Sequence, residues 1–128
     1  MQLEKVFQEL EELSERWPVI VEGVRDVAAL KKMGITKNVM PLNKGKSVFS
    51  FCEDLSKRTN AAIVLTDWDR RGGQLARMLK EGLVANGVKV NDRVRTQIVI
   101  LSKKEVKDME SMPTFIERLK AMAVSQRL

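Results

Sequence analysis

The 128-residue chain has no histidine, no tyrosine and a single cysteine. Without imidazole and with one thiol, a zinc site of the usual Cys/His type cannot be assembled within the chain, so no zinc is expected. Ser-His and Cys-His nucleophilic systems are excluded for the same reason. A covalent phosphotyrosyl intermediate falls with the missing tyrosine. No apolar run approaches the roughly 20 residues that cross a bilayer. The start, MQLEKVFQELEELSERW, alternates acidic and apolar residues, unlike the basic opening and uninterrupted apolar core of a signal peptide. A cytoplasmic protein with no membrane partner is the resulting expectation. Cys52, beside Phe49 and Phe51 in a segment that reads as helix, is expected to pack rather than react. Acid, base and metal chemistry is left to Asp, Glu, Lys and Arg, which selects Mg²⁺ or Mn²⁺ as the metal.

What is present fits one domain, 1–128, with one real core: 44% of residues are hydrophobic and 31% charged. Lys and Arg number 23 against 17 acids, a formal charge of +6. That excess on a small domain points to a polyanionic partner, RNA or DNA, through phosphate neutralisation. The bland alternative is a charge that only keeps the protein soluble.

Leu3, Val6, Phe7, Leu10 and Leu13 recur at helical spacing, predicting an amphipathic helix over residues 2–16 that ends at Trp17-Pro18. Residues 18–22, PVIVE, read as a first core strand, and residues 25–33 as a helix closed by Gly34. Residues 38–42 predict a second strand and 46–57 a helix. AAIVLT, residues 61–66, is an apolar run suited to a strand buried on both faces. A helix over 74–84 follows, ending near Asn86-Gly87. TQIVIL, residues 96–101, predicts a fourth strand. Residues 113–124 predict a closing helix with Phe115, Ile116, Leu119 and Met122 on its apolar side. Residues 103–112 read as an ordered loop or short helix. Strands alternating with helices imply βαβ units, hence an α/β fold of three α/β/α layers around a Rossmann-like four-stranded parallel sheet of order 2-1-3-4. The Leu and Met positions of the terminal helices are core first, with a homo-oligomer surface as the alternative; nothing else signals self-association.

The apolar run of the third strand stops on two acids, giving AAIVLTDWDRRGG. At a strand end, side chains alternate with period two, so Asp67 and Asp69 are expected to point the same way. Ligands of open parallel sheets bind beyond the carboxyl ends of the strands, where the strand order reverses. Glu22 closes the first strand, so in a 2-1-3-4 order three carboxylates converge on one pocket suited to Mg²⁺. Arg70 and Arg71 open the next helix, where free backbone N–H groups favour phosphate. Trp68 should point away from the acids, either packing beneath the site or stacking on a base.

Val21-Glu22-Gly23 with Asp26 and Leu30, followed by Asp67-Trp68-Asp69 with Gly72, resembles the Toprim domain shared by bacterial primases, type IA and type II topoisomerases, OLD-type nucleases, recombination-mediator proteins and the 5S ribosomal RNA maturase. The resemblance spans about residues 18–101, and the flanking helices are similar to those of small stand-alone Toprim proteins. It implies that Glu22 is a general acid or base in phosphodiester chemistry and that Asp67 and Asp69 are Mg²⁺ ligands. Asp26 matches an acidic position after the Glu-Gly pair; it joins the metal site or is an exposed first-turn acid favoured by the helix dipole. Lys107-Asp108-Met109-Glu110 is similar to a loop that supplies further acids in some relatives, with Asp108 as the candidate, and otherwise reads as a solvated charge run. Arg71 departs from the topoisomerase pattern, which carries glutamate there; arginine removes an acid and adds a phosphate clamp.

Asn43-Lys44-Gly45-Lys46-Ser47 contains a Gly-Lys-Ser step, but Met40 stands where a P-loop needs glycine, so no such loop is expected. Lys44 and Lys46 instead read as phosphate contacts at the pocket rim, or as plain surface lysines. The function expected is Mg²⁺-dependent nuclease or nucleotidyl-transfer chemistry on RNA or DNA. A non-catalytic nucleic-acid-binding or scaffold module is the alternative, disfavoured because a pure binder has no need of acids that repel phosphate. A response-regulator receiver with Asp67 as acceptor lacks the second acid after its first strand and a fifth strand.

Overall fold

The computed structural model describes residues 2–42 and 44–127, so Asn43 of the Gly-Lys-Ser segment lies outside the described residues. In chain order the elements are α1 (Gln2–Ser14), β1 (Val19–Val21), α2 (Val24–Lys32), β2 (Val39–Pro41), α3 (Val48–Ser56), β3 (Ala61–Val64), α4 (Arg70–Ala85), β4 (Lys89–Asn91), α5 (Arg93–Ser102) and α6 (Met112–Arg127). The four strands form one parallel sheet of order β2-β1-β3-β4. The α/β fold and the 2-1-3-4 order are thus as the sequence pattern implies. No helix among the described residues is long and apolar enough to cross a membrane.

Strand alternation divides the core in two. Val19 and Val21 of β1 with Ile63 and Leu65 at β3 face one side, where α1, α2, α5 and α6 supply Leu10, Leu30, Ile98, Met112 and Phe115. Ile20, Ala62 and Val64 face the other, against Phe51, Cys52 and Leu55 of α3 and Leu79 and Leu83 of α4. Period-two burial on both faces is why β1 and β3 read as continuous apolar runs. Cys52 packs as expected: it is fully buried, and a Cβ on Gly82 would come within 2.8 Å of its Sγ. Gly34, at φ +89°, ends α2 in the left-handed region that side chains disfavour.

The fourth strand is not where the sequence pattern puts it. TQIVIL lies inside α5, and β4 is the short segment Lys89–Asn91, reached directly after the turn at Gly87 (φ +79°). The physical reason is edge position. β4 pairs only with β3 and buries little, so Lys-Val-Asn lacks the apolar run of a central strand. Residues of α5 bury at helical spacing instead, with Val94, Ile98 and Ser102 inward and Ile100 67% exposed. Two further expectations shift. Helix α1 stops at Ser14, leaving residues 15–17 in a turn, and Met122 lies where α6 has outrun the core, 57% exposed.

Helical and strand readings of residues 96–101 place Ile98 and Ile100 differently, and that difference is measurable. In a strand the two would share a face. In α5, Ile98→Ala removes a fully buried side chain and is expected to cost about 2–5 kcal/mol. Ile100→Ala should stay within about 0.5 kcal/mol. Chemical denaturation of the two variants checks this; equal losses would contradict the helix.

Candidate metal centre

The site forms at the carboxyl edge of the sheet, between β1 and β3. Their parallel register, Val19 opposite Ile63 and Ile20 opposite Val64, carries both chains upward in step, and Leu65 N–H continues the ladder onto the Ile20 carbonyl at 2.8 Å. The first residue beyond β1 is Glu22. Its Oε2 accepts the Asp67 backbone N–H at 2.7 Å. Interaction between the two carboxyl groups raises that of Glu22 and lowers that of Asp67. Burial, reinforced by the Asp67 charge, raises the Glu22 carboxyl to about 7. Asp67 is likewise raised, chiefly by burial, against the opposing pull of the Met109 N–H, which donates to its Oδ1 at 2.9 Å.

The remaining candidates separate. The chain leaves the ladder after Val64, so residues 67–69 turn into α4 rather than continuing a strand, and period-two alternation does not govern Asp67 and Asp69. Asp69 is the N-cap of α4, its Oδ1 accepting from Gly72 N–H at 2.7 Å. Asp26 is in the first turn of α2, but it is buried at 7% exposure, not solvent-facing. Its Oδ2 accepts from Gly23 N–H at 3.0 Å, and burial, then the Asp67 charge, raises its carboxyl. Asp108 is half-buried in the loop after α5, and its Oδ1 accepts from Ser111 N–H at 2.8 Å. That loop is not merely a solvated charge run, because Val106 and Met109 anchor it in the core. Trp68 packs beneath it, donating its indole N–H to the Val106 carbonyl at 2.6 Å and its backbone N–H to the Lys107 carbonyl at 2.9 Å.

A cleft of about 180 Å³ on the α3/α4 side is lined by Glu22, Lys44, Lys46, Ser47 and Arg71 among others. Lys46 is ion-paired with Asp54 of α3. Arg70 is exposed at the start of α4 and does not line the cleft. A larger groove, about 600 Å³, lies between α1, α2 and α6 and touches none of these residues.

Among the described residues no three Asp, Glu or Cys side chains are gathered closely enough to enclose an ion by themselves. The Glu22–Asp67 pair nonetheless suits a hard cation: all donors are oxygens, and a second positive charge is what two adjoining carboxyls require. Mg²⁺ characteristically takes one or two carboxylates and fills its other positions with water and phosphate oxygens. Glu22 and Asp67 would therefore hold it. Arg95, which the sequence pattern places just ahead of a strand, is the functional neighbour that pattern misses. It reaches from α5 to the end of β3, donating from Nε to the Thr66 carbonyl at 2.8 Å and from Nη2 to the Asp67 carbonyl at 2.7 Å. Its only sequence signal is i, i+4 spacing around Val94 and Ile98.

Gly72 seals the turn. Its carbonyl accepts the buried Thr66 hydroxyl at 2.8 Å, and a Cβ there would stand 1.9 Å from the Asp67 carbonyl oxygen. Gly72→Ala is expected to lower stability by about 1–3 kcal/mol or more, read from the denaturant midpoint. The carboxyl pair predicts a pH effect. Glu22 binds its proton more tightly folded than unfolded, so this contribution is complete below pH 4.5 and is lost as pH rises through about 7. In metal-free protein, melting temperature should fall over that window, and Glu22→Gln should flatten the fall; a variant with the wild-type slope would show that Glu22 is not its source.

Residues 17–97 match the model of the Toprim domain. A UPF0292 protein of Methanosarcina barkeri is 40% identical over 119 residues, 92% of this chain and 82% of its own length. The UPF0292 protein of Methanocaldococcus jannaschii is 36% identical over 118 residues, 90% and 92% of the two chains. Among solved structures, a protein from Aquifex aeolicus superposes with a TM-score of 0.72 at 29% identity, covering 84% of this chain and 94% of that one. Toprim domains bind divalent metal and are associated with nucleic acids. With the strand order, the acid closing β1 and the Asp-x-Asp turn after β3 all in place, this chain belongs to the Toprim domain family.

Proposed function

We propose that this protein is a Mg²⁺- or Mn²⁺-dependent enzyme acting on phosphodiester bonds of RNA or DNA, by hydrolysis or nucleotidyl transfer. The observation that carries the reading is the Glu22–Asp67 pair: two acids at the strand-order reversal, joined by the Asp67 N–H that donates to Glu22 Oε2, beside a cleft whose rim carries Lys44, Lys46 and Arg71. A divalent ion bound there supplies Lewis acidity toward a phosphoryl oxygen. Glu22, whose carboxyl titrates near neutrality, is suited to take up or give a proton at Oε1 or Oε2. Asp67 is the principal metal ligand, with its carboxylate aimed by Met109 N–H. Asp69, whose Oδ1 caps α4, adds negative charge around the pair, as do Asp26 and Asp108. Arg71, Lys44 and the exposed Arg70 contact the phosphate backbone, and Lys46 does so once released from Asp54.

One observation favours the non-catalytic alternative, a nucleic-acid-binding or scaffold module: among the described residues, no third carboxylate closes on the pair. The two readings separate in a single assay. A mixed panel of RNA and DNA is incubated with the protein and Mg²⁺ or Mn²⁺. Cleavage or extension that needs the metal and drops by about 10²-fold or more in Glu22→Gln supports the enzyme. Equal activity in that variant sinks it. Binding that weakens steeply with salt, with no turnover under any metal, supports the module.

A further inference from the structure

We infer that Arg95 is a positioning residue for the carboxylate pair, acting through the backbone of Asp67. Successive carbonyls of an extended strand point to opposite sides. The Thr66 and Asp67 carbonyls both receive N–H groups from one guanidinium, so the chain has already turned where Asp67 begins. A planar fork with fixed donor directions can hold two acceptors in that relation. The side chain comes from α5, outside the β3–α4 unit that carries the acids, and is half-buried. It therefore ties the turn to a separately packed element whose neighbours, Val94 and Ile98, are fully buried.

The opposite side of Asp67 is held independently. Its N–H is spent on Glu22, and its Oδ1 on the Met109 N–H, whose side chain is wholly buried. With Arg95 on the carbonyl, the N–H, the carbonyl oxygen and Oδ1 of Asp67 each have a fixed partner. Arg95 fixes the peptide plane from which that carboxylate projects. Its charge matters less than its shape: a lysine at this position would keep the cation but present one compact ammonium in place of the fork.

Only the metal readout depends on the metal-site reading, and a second readout is independent of it. In Arg95→Lys, site-resolved hydrogen exchange by NMR on metal-free protein should show the Met109 amide exchanging at least about fivefold faster. The Leu65 amide, bonded to Ile20 in the sheet, should keep its wild-type rate. Calorimetric Mn²⁺ affinity should weaken about tenfold or more, the usual scale for a residue that orients a ligand. Arg95→Met, which keeps the aliphatic stem, should match Arg95→Lys in both readouts.

Wild-type exchange at Met109 in both variants would overturn the inference, as would full rescue by lysine, which would make the role one of charge. Failure of both variants to fold would also overturn it, assigning Arg95 to fold stability instead. If the wild-type protein takes up no Mn²⁺, the metal reading fails, and the exchange data alone decide the role of Arg95.

Discussion

The parallel pairing of β1 with β3 is the constraint on which the rest of the molecule depends. Both strands are central, both are buried on two faces, and their register brings the first residue past β1 level with the turn past β3. Sequence separation between Glu22 and Asp67 is 45 residues, yet the Asp67 N–H meets Glu22 Oε2 at 2.7 Å, beside the Leu65–Ile20 bond of 2.8 Å. Slipping that register by one residue would exchange the two core faces, putting Ile20 where Val19 and Val21 belong. The site is therefore secured by the same apolar burial that secures the sheet.

That arrangement sets hydrophobic packing against electrostatics. Glu22, Asp26 and Asp67 are all pushed toward their neutral forms, with burial as the first cause in each case. The fold offsets this with oriented donors: the N–H groups of Gly23, Asp67 and Met109 each face one of these carboxyls. Arg95 contributes the nearby formal positive charge, although its guanidinium is directed at carbonyls rather than at the acids. Burial lowers that guanidinium from its usual range while Glu22 and Asp67 pull it back up. Paired acids compensated by dipoles rather than by salt bridges can still accept a cation, which is the physical basis for proposing a metal centre there.

The loop between α5 and α6 shows how a polar stretch becomes structural. Lys103, Lys104, Glu105 and Lys107 are exposed, while Val106, Met109 and Met112 are buried among α1, α2 and the strands. Those three anchors seat the backbone that grips Trp68 and Asp67. Trp68 thus serves the site by packing, through an indole whose N–H is fully committed to the Val106 carbonyl.

Local pattern was sufficient for β1 and β3, because two-sided burial writes an apolar run directly into the chain, and for placing Glu22 and Asp67 just past the ends of those strands, because an acid closing such a run stands out. It was equally sufficient for the chemistry available, since a chain without histidine or tyrosine has only carboxylates, lysines and arginines to work with. It failed at β4 and α5. An edge strand needs little hydrophobicity, whereas Ile100 and Leu101 lent a one-sided helix the look of a buried strand. The placement of individual side chains came only from the tertiary structure: Asp69 as a helix cap whose turn leaves no room for a side chain at Gly72, Asp26 as a buried acid, Lys46 held by Asp54, and Arg95, from 28 residues away, as the grip on the end of β3. Composition limited which groups are available, and the ends of the buried strands placed Glu22 and Asp67. Which carboxylates meet, and at what angle, was decided by packing across 28 to 45 residues of chain, which no local periodicity encodes.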